Sequence, residues 1–335
     1  INAAPRQSLK LLSLFSGPYR RPDGLARRMG SYGWDEVTQI DSDPDDGGGW
    51  ADDLKNDSKF AELCALAESG KFAAVMIALD CSTYSCARFF NASTKKLHSA
   101  VDTPGVDPGP KPVRTREFPD GLPSDQLTAA QEQELKLANK IAWRAFKLAK
   151  LARFSSSKAT IILENPADRT LQSTCAYWAD LPDHGSLFAT TYFIDFIKEI
   201  GPCSSCTSAM CRYGSDVQKY TTLWYTTDAA TELDKNNGPE HQCCHKNHTR
   251  TVGGRAPDGT FHSSDFSAYS DGYNTMITKG FQFARTGSTA PLGATPVSPP
   301  SASQPPASAP PDTDTLSNDL ADLQPSLPLP PRPLR

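Results

Sequence analysis

Along the first half of the chain, short apolar runs alternate with stretches in which apolar residues recur every three or four positions. Ser8–Ser16 (SLKLLSLFS), Glu36–Ile40 and Phe72–Leu79 read as strands, the first closing on Gly17 and the second on Asp41. Gly24–Gly30 and Ser58–Ser69 fall between them and read as helices. Ser124-Asp125 offer N-cap chemistry for a long helix whose core face is Leu137, Ile141, Ala145, Leu148 and Ala152. Lys136, Lys140, Arg144 and Lys147 form a basic stripe on another face of that helix, read as solvated surface ahead of phosphate contact. Ala159–Leu163 is a further buried strand running into Glu164-Asn165-Pro166, and Lys219–Thr227 is a late strand. Strands alternating with helices predict βα units and a mostly parallel, doubly wound sheet, an α/β fold. Between them, Phe89–Pro123 shows no period, and loops of that length are often functional or mobile.

Composition changes this picture mainly at the C-terminal end. Hydrophobic residues make up only 38% of the 335, and the shortfall is concentrated in residues 286–335, where Pro, Ser and Ala dominate. Such a segment buries too little apolar surface to offset its ordering entropy, so it reads as a disordered tail. Its end carries Pro330-x-x-Pro333-x-Arg335, the spacing of a polyproline ligand for an SH3-type partner. The expected organisation is a core over 1–200, a Cys/His-rich segment over 201–285 that completes the fold and is a candidate for target recognition, and the tail. A formal charge of -4 supplies no global basic footprint, so any nucleic-acid contact must come from local patches. No run reaches the length of a membrane span, and no signal-peptide pattern opens the chain. The first residue is Ile rather than Met, which leaves room for a longer parent protein. Nine cysteines, an odd and partly clustered set, fit a reducing compartment such as cytoplasm or nucleus better than a disulfide framework.

The strand ends carry the candidate chemistry, because open α/β sheets bind ligands at the carboxyl ends of their strands. The first strand ends in Phe15-Ser16-Gly17, where small residues let a ligand approach the backbone. Asp41 closes the second and is placed to accept hydrogen bonds from a ribose; the Asp52-Asp53-Leu54 turn could hold an adenine. Cys81 ends the third, and Glu164 the next. A single cysteine is ordinarily a small buried thiol. Five such features in order, each at a strand end, favour a site.

These residues carry a family resemblance. LFSG followed by GL, then DSDP, DDL, DCSTYS and ENP, resembles the S-adenosylmethionine-dependent DNA methyltransferases of the cytosine-C5 class, in particular their compact phage and mobile-element members. Cys211-Arg212-Tyr213-Gly214, Lys219-x-Thr221-x-x-Trp224 and Cys244 with His245 and His248 are similar to the second half of the phage-type proteins. Ala268-Tyr269 looks like the start of their closing helix. The resemblance implies a Rossmann-like class I methyltransferase sheet with S-adenosylmethionine as cofactor and DNA as partner. It implies that Cys81 is the thiolate that adds to cytosine C6, an activated nucleophile. Glu164 would hydrogen-bond the flipped base and support protonation at N3, and Asn165 would fix the base or its own turn. Phe15, Ser16, Gly17, Asp41, Asp53 and Leu54 would line the cofactor cleft; Ser85, Arg88, Lys219 and Thr221 would face DNA. The Phe89–Pro123 loop is then a candidate for closing over the flipped nucleotide.

The sequence departs from the family pattern in three places. Asp80 stands where the family has Pro, a carboxylate that works against the thiolate. Pro18-Tyr19-Arg20-Arg21 replaces a Gly-rich loop, and Gln218-Lys219-Tyr220-Thr221 has one cation where two are expected. Two other readings therefore stay open: amino-methylation of adenine N6 or cytosine N4, for which Asp80 would open the motif, and an inactive fold remnant that binds nucleic acid. A nicotinamide-dependent enzyme is weaker still, since no G-x-G-x-x-G follows the first strand. Cys203-x-x-Cys206, Cys211, Cys243-Cys244, His245 and His248 have partly zinc-like spacing, with Cys203, Cys206, Cys211, Cys244 and His248 the expected ligands, and a structural zinc competes with the plain reading of reduced thiols in a loop-rich segment.

Overall fold

In the computed structural model, β1 (Lys10–Leu14), β2 (Glu36–Ile40), β3 (Ala74–Ala78), β4 (Thr160–Pro166), β5 (Cys203–Ala209) and β6 (Tyr220–Thr226) form one sheet in the order β2-β1-β3-β4-β6-β5. The structure describes residues 8–19, 21–45, 47–94, 96–98, 108–245, 248 and 268–292. The pairs β1–β2, β1–β3 and β3–β4 are parallel, and β6 runs antiparallel between β4 and β5. The mostly parallel, doubly wound α/β class expected from the alternation of elements is the one observed. No helix among the described residues is long and apolar enough to cross a membrane.

Residues two apart on a strand face the same side, and both sides of this sheet are covered. Leu12 and Leu14, Val75 and Ile77, Ile161 and Leu163 face one layer, made by α2 (Asp57–Glu68), α3 (Ala129–Phe154) and α4 (Thr191–Ile200). Leu9 and Leu11, Ala74 and Met76, and Ile162 face the other, with α1 (Leu25–Ser31), the single turn α5 (Ala230–Leu233) and α6 (Asp271–Thr286). That double burial is why these strands read as continuous apolar runs.

Several expectations are corrected. The long helix begins at Ala129, not at Ser124, because Thr128 and Gln131 close a reciprocal capping box there; Ser124–Gln126 make only a 3-10 turn. Leu137 is 39% exposed, whereas Ala145, Leu148 and Ala152 are buried. Arg144, read as part of a solvated stripe, is buried: it donates to the carbonyls of Leu54 (2.9 Å) and Lys55 (3.0 Å), pairs with Asp57 and lies over the Phe60 ring. Residues 286–292, assigned to the tail, pack on the fold: Leu292 N–H donates to the Tyr32 carbonyl at 3.0 Å, and Gln282 reaches the Ala290 carbonyl. The tail from 293 on, with its proline motif, lies outside the described residues. So do Arg20 and residues 99–107 of the long loop.

The rest of that loop is built in. Arg114 is enclosed, donating to Thr83 Oγ1 (3.2 Å), the Pro119 carbonyl (3.0 Å) and Asn139 Oδ1 (2.6 Å), with the Tyr84 ring beneath it. Asp120 accepts from the Thr191 N–H and hydroxyl at the start of α4. These bonds anchor 108–123 to α3 and α4.

Candidate active site

Parallel pairing sets Glu164 beside Ala78, at the end of β3, so the carboxylate and the turn carrying Cys81 share one edge of the sheet. Asn165 ties the two together, its Nδ2 donating to the Leu79 carbonyl at 3.2 Å. The Tyr84 N–H closes a tight turn on the Cys81 carbonyl at 3.0 Å. Asp80 points outward and accepts from Ser82 N–H (2.9 Å) and Ser82 Oγ (3.0 Å), an Asx turn that shapes the loop.

Glu164 is buried and both its oxygens are engaged. Thr221 Oγ1 donates to Oε1, and the Tyr269 hydroxyl donates to Oε2 at 2.6 Å. Lys219, one residue before β6, is charged against both Glu164 and Cys81. Burial opposes its charge, but Glu164 and Cys81 outweigh that and hold its pKa above the ordinary lysine value. For the half-buried Cys81, burial pushes the thiol up, Lys219 pulls it down, and Asp80 and Glu164 add to the rise. Burial and the Glu164 charge push Tyr269 far above the usual phenol range, so it remains a donor. A thiol, a carboxylate and a cation thus share one sheet edge, where the cation and, to a smaller degree, a backbone hydrogen bond favour thiolate.

The four residues expected to face DNA do not share one environment. Arg88 is buried, donating to the carbonyls of Ser82 and Lys111 and pairing with Glu134, so it clamps the Cys81 loop instead of projecting from it. Thr221 is buried too, its hydroxyl shared between Glu164 and the Asn165 carbonyl. Ser85 caps the short turn Cys86–Phe89. Lys219 is half-buried, near enough to Glu164 and Cys81 to feel both charges.

At the ends of β1 and β2, Phe15 adopts φ 60, uncommon for a residue with a side chain, and Gly17 follows with φ 64. Gly17 N–H donates to Asp41 Oδ2 at 2.9 Å, and Asp43 N–H donates to Oδ1 at 3.0 Å. A carboxylate has about four acceptor sites, so Asp41 keeps capacity for a ligand's hydroxyls. A Cβ on Gly17 would meet nothing within 4 Å, so the bend opens onto free space. Ser16 adds its N–H to the Ile40 carbonyl at 3.3 Å. Asp53 and Leu54 differ: Asp53 accepts from Lys55 N–H (2.8 Å) and pairs with its ammonium (2.9 Å), while Leu54 sits in the core. Asp53 organises the entry to α2, its buried carboxylate already engaged by Lys55. Phe15, Ser16, Gly17 and Asp41 are the residues here that suit a nucleoside-type cofactor.

Sequence reading passed over three supports of this cleft. Tyr19, from the loop that replaces the Gly-rich one, donates to the Gln39 carbonyl (3.0 Å) and accepts from Asp41 N–H (3.1 Å). The run Gly47-Gly48-Gly49 folds back on Asp41 so closely that a Cβ on Gly48 would lie 2.1 Å from the Asp41 carbonyl oxygen; three successive glycines were the available signal. Tyr269 appeared only as a helix start, and nothing local reveals its reach to Glu164. Arg21 donates to the Tyr269 carbonyl at 3.2 Å and Asn274 to the Asp23 carbonyl at 2.8 Å, so segments about 250 positions apart in the sequence meet beside this site.

Of the expected metal ligands, Cys211 and His248 converge, joined by Cys243 and His245. Cys203 and Cys206 lie in β5, three positions apart and therefore on opposite faces, one packed into each core layer. A Cys-x-x-Cys pair chelates from a turn, and a strand forbids it. Cys244 stands apart, accepting from Arg212 at 2.8 Å.

No protein-family model matches the sequence, and no relative emerges among curated proteins. One similar solved structure is a prophage-encoded E. coli protein assigned as a DNA modification methyltransferase, at 10% identity and a TM-score of 0.32. The match covers 65% of this chain and 46% of that one, so this chain spans less than half its length, a likeness too weak to carry a conclusion.

Proposed function

We propose that this chain is an S-adenosylmethionine-dependent DNA methyltransferase acting on cytosine C5 through a Cys81 adduct. The observation that supports it is the convergence of Cys81, Glu164 and Lys219 at the carboxyl edge of a mostly parallel sheet, next to the open Phe15–Gly17 bend. S-adenosylmethionine supplies an electrophilic methyl group. Phe15, Ser16, Gly17 and Asp41 would hold it, Asp41 through ribose hydroxyls. Lys219 favours the Cys81 thiolate, which forms an S–C6 bond and places electron density on C5. Glu164, held by Thr221 and Tyr269, faces N3 of the flipped base and stabilises the protonated ring. As the C5–methyl bond forms, the methyl–sulfonium bond breaks and leaves a neutral thioether; the C5 proton then passes to water, its electron pair forms the C5–C6 double bond, and the S–C6 bond breaks to restore Cys81. Asp80 is engaged with Ser82, which supports this reading over amino-methylation.

Incubation with labelled S-adenosylmethionine and mixed-sequence DNA, wild type against Cys81→Ser, tests it. DNA carrying 5-fluorocytosine adds a direct readout, because fluorine cannot leave as the proton does and the S–C6 adduct accumulates. The expected result is transfer and adduct with wild type and neither with Cys81→Ser. Transfer that survives Cys81→Ser indicates amino-methylation. Absence of both transfer and calorimetric cofactor binding refutes the enzyme and leaves the inactive remnant.

A further inference from the structure

Away from the candidate active site, Cys211, Cys243, His245 and His248 present four ligand atoms that all lie within 4.8 Å of one another. Cys211 sits in the 3-10 turn Met210–Tyr213 that leaves β5, and the other three follow α5 in a loop. Cys243 Sγ is 3.2 Å from His248 Nε2 and 3.8 Å from His245 Nδ1. Tetrahedral zinc, with Zn–S near 2.3 Å and Zn–N near 2.0 Å, requires ligand–ligand edges of about 3.3–3.8 Å. Two thiolates and two imidazoles without a carboxylate suit zinc and not calcium or magnesium. Hydrophobic packing does not explain the cluster: Cys243 and His248 are half-buried and His245 is exposed, so apolar burial gives these side chains little reason to meet.

The surroundings connect the cluster to both sides of the fold. Cys243 N–H donates to the Tyr220 hydroxyl at 3.4 Å, and Tyr220 follows Lys219. Tyr213, two residues after Cys211, stacks on His241 and bonds Asn236 at 2.8 Å. Its carbonyl accepts from Ser270 Oγ at 2.7 Å, next to Tyr269.

We infer that Cys211, Cys243, His245 and His248 form a structural zinc site that staples the loop after α5 to the exit of β5. The four protein ligands complete the tetrahedron and leave no open position for catalysis. The staple backs the chain on which Lys219 and Tyr269 reach Glu164. This inference stands independently of the methyltransferase reading, because its readout is metal content.

The test is elemental analysis of the full chain purified under reducing conditions without chelator, with cobalt replacement as a second measurement. One zinc per chain is expected, and cobalt should show the visible bands of a tetrahedral site and a thiolate charge-transfer band. Cys211→Ala and His248→Ala should each lose the metal, while Cys203→Ala and Cys244→Ala keep it. Should the ligand variants fail to fold, chelator titration of wild type followed by melting gives the same answer: the melting point falls and zinc restores it. Wild type without zinc or a cobalt spectrum overturns the inference. So does metal-free protein with a Cys211–Cys243 disulfide, full zinc in Cys211→Ala, or loss of zinc in Cys203→Ala.

Discussion

Replacing Tyr269 by Phe removes one hydroxyl and keeps the ring, so it isolates the 2.6 Å hydrogen bond to Glu164 Oε2. A hydrogen bond to a charged group contributes roughly 1.5–3 kcal/mol, more than the ~1 kcal/mol of a neutral pair. Stranding a buried charge entirely costs about 3–5 kcal/mol, but Glu164 retains Thr221 on its other oxygen and Lys219 nearby, which holds the loss to the lower range. At about 2–3 °C per kcal/mol for a chain of this size, Tyr269→Phe should lower the melting point by about 3–9 °C. Tyr273 is the matched control: it is buried, and its hydroxyl lies toward Thr221 without reaching hydrogen-bond geometry with any described residue. Tyr273→Phe removes the same atom from a neighbouring ring and should shift the melting point by less than about 2 °C. Scanning calorimetry of the two variants at neutral pH decides the matter. Equal shifts, or no shift in Tyr269→Phe, would refute the claim that Tyr269 holds the carboxylate.

Two further outcomes follow from the same geometry. Gly48→Ala drives a Cβ into the Asp41 backbone and opens two hydrogen bonds, Gly48 N–H to the Asp43 carbonyl and Gly49 N–H to the Asp41 carbonyl. It should cost about 2 kcal/mol and, on the proposed cofactor role of Asp41, weaken S-adenosylmethionine binding at least about tenfold by calorimetry, whereas Gly30→Ala, in open space on α1, should stabilise by up to about 1 kcal/mol with binding unchanged. Asp168 is buried, which opposes its ionisation, but His184 and the Thr170 N–H and hydroxyl outweigh burial and hold its carboxyl below the usual range. A depressed folded-state pKa contributes stability that is present above the unfolded value near 3.9 and lost as pH falls through the folded one. Urea titrations below about pH 4 should therefore show a shallower acid loss in Asp168→Asn than in wild type; parallel curves would count against it.

The strands and the candidate nucleophile were legible because their signals are local. β2 falls at Glu36–Ile40 as expected, and β1, β3 and β6 lie inside their apolar runs. The second half was harder to read. β5 is rich in Cys, Ser and Thr and shows little apolar alternation, so it passed for a loop; α4, with buried Phe193, Phe196 and Ile200, was missed although its apolar spacing is helical. Arg88, Arg144 and Asp53 mislead for a shared reason. A charged residue reads as facing solvent or a ligand, and only its tertiary partners show that it is already bound to Glu134, Asp57 or Lys55.

By itself, then, the sequence determined five of the sheet's six strands, the turn that presents Cys81 and the acids at neighbouring strand ends. Each depends on hydrophobic period or turn chemistry within a few residues. Tertiary structure alone decided which groups surround Glu164. Thr221 is 57 positions away along the chain and Tyr269 is 105, and they meet it because β6 pairs antiparallel to β4 and residue 269 lies just before α6. It also decided that Cys211 joins Cys243, His245 and His248, since a strand turns Cys203 and Cys206 to opposite faces.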